Sequence, residues 1–538
     1  MTSGPVALVP LDDRPCTTVF PVRIAEMAGI DVVAPPPEIL GRFLEPGLPD
    51  AVLDWLESTA PNVSAMLVSL EMVLYGGLIA SRSSKVSLDI ARRRLGRLAR
   101  IAMCNPTTKM LVSGVIMRIT TTGRSSEFLK HWEMLHRFSV LTAKSAEGVA
   151  TAAELRELDD VKQQLPPALL EDHLNARRRN HAVNLMSVAL ASMGVFGFLM
   201  LGQEDADVYG PHMAEQRALL DYAGRLAGIA DGMPEFLCIH PGADELNMTL
   251  LARHISDTMN VSGRRGSRPR VSTIFMPEEG RFTVPKFEDR PLAQSVESQI
   301  IAAGAVPVEA VDGESDIVLL VHAPDPACEV RVDHVAQGAQ ARGSGREYID
   351  TRILEKLADS GRCGKTVAVA DVRTANGADV QFVRTLLDMS LLNKLSAYAG
   401  WNTAANSIGT ALATAIAAWA NPDNWMPRAR FLFERLVDDY LYQSCTRAEA
   451  TSLLQFRGMD PWNFGLAQHA GAEELALATL RGQAEALFEE CFPHFGPECC
   501  RLAKLSLCLP WDRLFECKVD AAFEPEEDDE PCPTSSSC

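Results

Sequence analysis

Nine short apolar runs dominate the chain, and each stops abruptly in a polar or glycine-rich cluster. They are VALVPLDD (6–13), SAMLVSLEM (64–72), KMLVSGVIMR (109–118), VFGFLMLGQED (195–205), EFLCIHPGADE (235–245), VSTIFMPEEG (271–280), DIVLLVHAP (316–324), TVAVADV (366–372) and LSAYAGWN (395–402). Runs of Val, Ile and Leu without polar alternation describe strands covered on both faces, as in parallel sheets. Stretches between them, such as 211–230 and 291–305, show helical spacing. Strand alternating with helix predicts an α/β protein of several domains, with mostly parallel sheets flanked by helices. After NPDNW (421–425) the runs cease, which predicts a helical C-terminal region.

A chain of 538 residues predicts about three domains. The expected divisions are an N-terminal α/β domain over 1–142, a charged helical insertion over 143–194, and a segment over 195–262 that completes the first block. A second α/β domain over 271–420, a helical region over 421–520 and a disordered acidic tail over 521–538 follow. GRRGSRPR (263–270) reads as the loop joining the two blocks, and another loop spans 336–346.

The charge balance narrows the partners. Lys+Arg is 51 and Asp+Glu is 70, a net charge of −19, which disfavours a phosphate backbone or an anionic lipid surface. With 6% aromatic residues, a stacking platform for single strands is not expected. The first residues lack a basic segment followed by a long apolar stretch, so the expected compartment is the cytoplasm. The thirteen cysteines lack framework spacing and any CxxC pair, and read as free thiols rather than a zinc cluster. The apolar stretch 181–202 is about long enough to span a bilayer, but it changes character halfway and runs into QED. It reads as a helix followed by a buried strand, not a membrane span. No P-loop, HExxH or GxSxG motif is present.

Ligands of α/β proteins bind at the carboxyl ends of the strands, and those ends are rich here in acids, amides, His and Gly. In PLDDRPCT, Asp12 and Asp13 could act as acid and base beside Arg14; the plainer reading is an Asp–Arg ion pair and a helix cap. In SLEMVLYGGLIASR, Glu71 ends a strand, with Tyr75 and Arg82 after it. Gly76-Gly77 there permits either a close approach to a ligand or a tight turn. In GQEDADVYG, Glu204, Asp205 and Asp207 crowd together before Tyr209. Acids so close repel unless a cation, an arginine or a proton offsets them, which marks a perturbed acid or a metal ligand; a solvated loop is the plainer reading. In IHPGADE, His240 ends a strand and Asp244 and Glu245 start a helix, where acids meet the positive dipole end. Two late segments, ADVRTANGAD and AGWNTAANSIG, carry Asp371, Asn376, Asp379, Trp401, Asn402 and Asn406. Amides and carboxylates around an aromatic face suit a sugar, although Asn-Gly is also the ordinary signal of a tight turn. His322 ends one more strand.

Taken in order, PLDDRPCT, SLEMVLYGGLIASR, QEDADVYG, HPGADE, the NGAD step and AGWNTAANSIGTALA resemble the mainly bacterial family known as domain of unknown function 4127. The resemblance covers about residues 5–515. It implies an α/β protein whose motif residues gather in one cleft, and it brings no activity with it. Glu71 and Glu204 stand where the family pattern more often has Asp, which moves each charge by one methylene.

The reading that follows is a cytoplasmic hydrolase acting on a small, polyhydroxylated, glycoside-like substrate. Asp12, Asp13, Asp205, Asp244 and Glu245 are the candidate acids and bases. Arg14, Glu71, Tyr75, Arg82, Tyr209, Asp371, Asn376, Trp401, Asn402 and Asn406 are the candidate substrate-binding residues. No cofactor is required by this reading. An alternative is a hydrolase or isomerase dependent on a divalent metal held by His240, Glu204 and His322 with Asp12 and Asp244. A third reading is a non-catalytic binder of a sugar or metabolite.

Overall fold

Each of the nine apolar runs contains a strand. A computed structural model describes residues 4–525 except 121, 123–125, 230–231, 263–267, 310–314 and 327–348. The loop read at 336–346 and most of the one read at 263–270 lie outside the described residues. In the N-terminal part the strands are β1 (Val6–Val9), β2 (Val32–Val33), a small hairpin of β3 (Gly41–Arg42) and β4 (Glu45–Pro46), then β5 (Ala65–Ser69), β6 (Lys109–Ile116), β7 (Phe198–Gln203) and β8 (Leu237–Pro241). Six of them form a sheet in the order β2-β1-β5-β6-β7-β8, parallel throughout. The second sheet holds β9 (Arg270–Met276), β10 (Val306–Val308), β11 (Ile317–His322), β12 (Thr366–Asp371) and β13 (Ala397–Ala399). Its order is β10-β9-β11-β12-β13, again all parallel. The edge strands β2 and β10 are too short to show as apolar runs.

The helix Ala404–Ala420 joins the two sheets. All its residues but the last are buried. It packs on β12 and β13 and on the helices Pro15–Ala28 and Leu246–Ser262. Its run of Ala, Gly, Ser and Thr permits this close approach on several sides, so the small residues serve packing. One apolar core therefore continues from Leu8 in the first sheet to Leu319 in the second.

The C-terminal region is helical from Trp425 to Phe456 and again over His469–Cys491. It also contains an antiparallel hairpin of β14 (Cys500–Cys508) and β15 (Lys518–Pro525), which corrects the purely helical expectation. Val519, Ala521 and Phe523 alternate with more exposed neighbours, the period-two pattern of a sheet covered on one face. Residues 521–525, expected to open the tail, end this strand; 526–538 lie outside the described residues. The region grips the rest of the chain through Arg23, whose guanidinium meets Glu434 at 3.0 Å and Asp520 at 2.7 Å.

The apolar stretch at 181–202 divides between the helix Pro167–Ser192 and β7. No described helix is long and apolar enough to cross a membrane. Of the cysteines among the described residues, Cys16, Cys238 and Cys517 are buried free thiols, and Cys104, Cys363 and Cys508 are exposed ones.

Candidate functional site

The tip of β1 carries the central arrangement. The Asp12 carboxylate accepts from the Arg14 backbone N–H at 3.1 Å, from Nε at 2.9 Å and from Nη2 at 2.7 Å. This local ion pair precedes the helix Pro15–Ala28, as the plainer sequence reading had it, but the cap expected with it is not formed: the N-cap residue is Arg14 and no side chain caps the helix. The other face of the guanidinium then reaches Asp244, beyond β8, with Nη1 at 3.0 Å from Oδ2 and Nη2 at 2.6 Å from Oδ1. Asn402, from the second sheet, donates Nδ2 to the same Oδ2 at 3.0 Å. Three sequence-distant strand ends thus meet at one buried cation. Burial opposes the Arg14 charge, but Asp12 and Asp244 outweigh it and hold the guanidinium protonated.

Asn402 and Asn376 both have left-handed backbones, at φ 50° and 64°. The Asn376 N–H donates to the Asn402 carbonyl at 2.8 Å, so the two loops are tied together. A cleft opens beside them. Arg14 and Phe20 line it from the first part of the chain, Asn376, Trp401 and Asn402 from the second, and Asp438 and Gln443 from the C-terminal region. Trp401 is fixed by its Nε1–H to Thr410 Oγ1 at 3.1 Å and by an edge-on contact with Phe20, with ring centroids 5.7 Å apart.

Asp13 points elsewhere than Asp12. Trp511 Nε1–H donates to its Oδ2 at 3.0 Å and the Phe43 N–H to its Oδ1 at 3.4 Å. The Trp511 ring lies 5.5 Å from the Arg14 guanidinium carbon, so Asp13 belongs to the same neighbourhood. Burial, reinforced by the charge of Asp12, raises its carboxyl from 3.8 to about 6.

Glu245 and Asn406 pair beneath this layer, Nδ2 to Oε2 at 2.6 Å. Both are buried, and burial pushes the Glu245 carboxyl up to about 8. His240 stands 3.6 Å from Glu245 Oε1, with Nδ1 2.6 Å from the Pro241 carbonyl oxygen; burial lowers it to about 4, so the ring is neutral at pH 7. The role of this group is the floor of the site. Gly202 and Gly242 let the tip of β7 and the turn after β8 pass in contact: a Cβ on Gly202 would fall 2.3 Å from the Gly242 carbonyl oxygen.

A flank is formed by Arg82, which binds Glu204, and by Arg118, whose Nη2 lies 2.6 Å from Asp205 Oδ2. The repulsion expected among these acids is thus relieved by guanidinium groups. Glu71 does not end a strand; it sits in the short helix Leu70–Tyr75. Its Oε1 accepts the Val115 N–H at 2.9 Å, its Oε2 accepts from Ser69 at 3.2 Å, and burial raises it to about 7. The Tyr75 ring lies under Arg179, 4.2 Å from its guanidinium carbon, rather than on the cleft. Gly76 forms a tight turn against the Gly47 backbone, 2.7 Å from where a Cβ would stand, so the close approach it permits is to the protein's own chain.

Other candidates form separate groups. Tyr209 faces Lys144 of the helical insertion, 5.2 Å from its ring centroid, and Asp207 faces His136 at 3.4 Å. Asp371 accepts from the Tyr398 hydroxyl at 2.9 Å and the Asp379 N–H at 2.7 Å. His322 pairs with Asp379 at 3.3 Å and stacks on Phe382. These bonds brace the loop that carries Asn376. The three metal candidates are divided: His240 lies by Pro241 and Glu245, Glu204 binds Arg82, and His322 meets Asp379. Among the described residues, no group of three or more His, Cys, Asp or Glu is arranged to hold a metal ion.

Sequence reasoning missed Phe20, Trp511, Asp438 and Gln443. The acidic pair in LVDDY and the Trp-Asp step in LPWD were visible signals, but neither follows a parallel strand.

Fold and site together define a two-sheet α/β protein with a cleft at the joined carboxyl ends of the strands. The chain belongs to the family described as "Protein of unknown function (DUF4127)", whose pattern matches residues 6–520. No curated protein and no solved structure matches it.

Proposed function

We propose that the chain is a cytoplasmic hydrolase acting on a small polyhydroxylated molecule of glycoside type, bound in the cleft beside Arg14. The observation that carries this reading is a buried carboxyl group, Asp13, beside two others, Asp12 and Asp244, that share one guanidinium. Asp13, raised to about 6 by burial, is available as a proton donor, while next to it Asp12 and Asp244 are both bound by the Arg14 guanidinium. Glycoside cleavage needs neighbouring carboxyl groups of this kind: one acid protonates the leaving oxygen, and one carboxylate attacks the sugar carbon or activates water. Trp401 offers an apolar ring face, and Asn376, Asn402 and Gln443 offer amides for hydroxyl groups. The net charge of −19 fits a small neutral substrate better than a nucleic acid.

A panel of nitrophenyl glycosides, assayed between about pH 4 and 9, tests it. Hydrolysis is expected with at least one substrate, declining as pH rises through about 6 because Asp13 loses its proton. Asp13→Asn is expected to lower kcat by about 10²–10⁴-fold. Because His240, Glu204 and His322 have separate partners, activity is expected to survive chelation. No turnover by the parent protein, with sugar binding retained in thermal shift, would transfer the cleft to a non-catalytic binder.

A further inference from the structure

The C-terminal region reaches the cleft through a segment wound as a π-helix, Leu436–Thr446. Such winding is rare and is frequently found at functional sites. Here it turns two neighbouring acids toward different tasks. Asp438 lines the cleft and is held by Arg435, by Gln443 Nε2 at 3.1 Å and by Cys517 Sγ at 3.2 Å. Asp439 is fully buried and turns to the loops behind the asparagines. Its Oδ2 accepts the Gly400 N–H at 2.8 Å. Its backbone carbonyl accepts the Ala378 N–H at 2.9 Å, and Ser444 Oγ donates to the Ala378 carbonyl at 2.8 Å. Arg435 Nη1 stands 3.1 Å from the remaining oxygen, Oδ1.

Gly400 directly precedes Trp401 and Asn402, and Ala378 follows Asn376 by two residues. We propose that Asp439 is the positioning residue for this wall of the cleft, holding Trp401 and Asn402 where Asn402 meets Asp244. The assignment rests on the reading that the cleft is the functional site. Left-handed asparagines persist only where their surroundings over-determine them. Two such residues, bonded to each other, need an anchor from outside their own loops, and the Gly400 N–H is buried where an unmet donor is costly. The loops cannot easily reseat, since a Cβ on Gly400 would already lie 3.3 Å from Ala378.

Hydrogen exchange of the full-length chain tests the assignment, with a spectroscopic check from ¹⁵N-labelled indole groups. In Asp439→Ala, peptides covering 396–403 and 374–379 are expected to exchange about tenfold faster, while those of β1 and β5 keep the parental rate. The indole resonance of Trp401, assigned by its loss in Trp401→Phe, is expected to shift. Asp439→Asn keeps an amide oxygen for the Gly400 N–H and is expected to restore both readouts. Unchanged exchange and an unmoved Trp401 signal in Asp439→Ala would overturn the assignment. So would an Asp439→Asn variant indistinguishable from Asp439→Ala, because the side chain would then act only by bulk and charge. Should Asp439→Ala not fold, Ser444→Ala removes the neighbouring bond to Ala378. It is expected to quicken exchange in the 374–379 peptide, and parental exchange there would equally count against the anchor. Neither readout uses a ligand, so this assignment can fail while the hydrolase reading stands, and the reverse.

Discussion

Arg14 holds Asp244 by two side-by-side N–H···O bonds, of 3.0 and 2.6 Å, across 230 residues of sequence. Asp12 occupies the other edge of the same guanidinium, so one cation serves two buried carboxylates. Removing it leaves both uncompensated. Arg14→Met is expected to destabilise the fold by about 3–5 kcal/mol. Arg14→Lys is expected to recover only part of that, because an ammonium cannot fork between two planar carboxylates. Denaturant titration of the three proteins decides it, and a loss below about 1 kcal/mol in Arg14→Met would contradict the shared-cation account.

Asn402 carries two separable contributions. Asn402→Gly removes the bond to Asp244 but tolerates the left-handed backbone at φ 50°. Asn402→Ala removes the bond and adds left-handed strain of about 1–2 kcal/mol. The melting temperature is therefore expected to fall in the order parent, glycine variant, alanine variant. Equal stability of the two variants would mean that no strain is stored in this turn.

Gly202 tests the contact beneath the site. Its Cβ would lie 2.3 Å from a backbone oxygen of Gly242, which no side-chain rotation can relieve. Gly202→Ala is expected to destabilise by about 1–3 kcal/mol or more, through separation of β7 from the turn after β8. Gly471→Ala, where nothing lies within 4 Å, serves as the control and is expected to be neutral or better. Parallel thermal melts of both variants provide the comparison.

Glu245 gives stability a pH dependence of known sign. Its carboxyl is raised from 4.5 to about 8 by burial, so between those values the folded chain keeps a proton that the unfolded chain releases. The contribution is complete below the unfolded value and is lost as pH rises through about 8. Glu245→Gln is neutral at every pH and can still accept from Asn406. Its stability is expected to decline less steeply than that of the parent between about pH 6 and 9. Parallel declines, followed by urea midpoints, would show that Glu245 is not the group that titrates.

The sheets were legible because strands covered on both faces must be apolar along their whole length, and such runs survive inspection one residue at a time. The hairpin β14–β15 was less legible, since a sheet with one wet face shows only alternation, broken here by a register shift between Leu502 and Lys504. The Asp12–Arg14 pair was visible because its members are two residues apart. Its extension to Asp244 and Asn402 was not, and neither was the part played by Asp439.

Local order along the chain is enough to say where strands end and which acids, amides and imidazoles stand at their tips, because backbone preference and side-chain periodicity act over a few residues. Which of those groups meet, and which carboxyl keeps its proton, follows from packing. Coulombic and hydrogen-bonding forces depend on distance through space and on the exclusion of water, quantities that exist only once the two sheets have closed on the helix Ala404–Ala420.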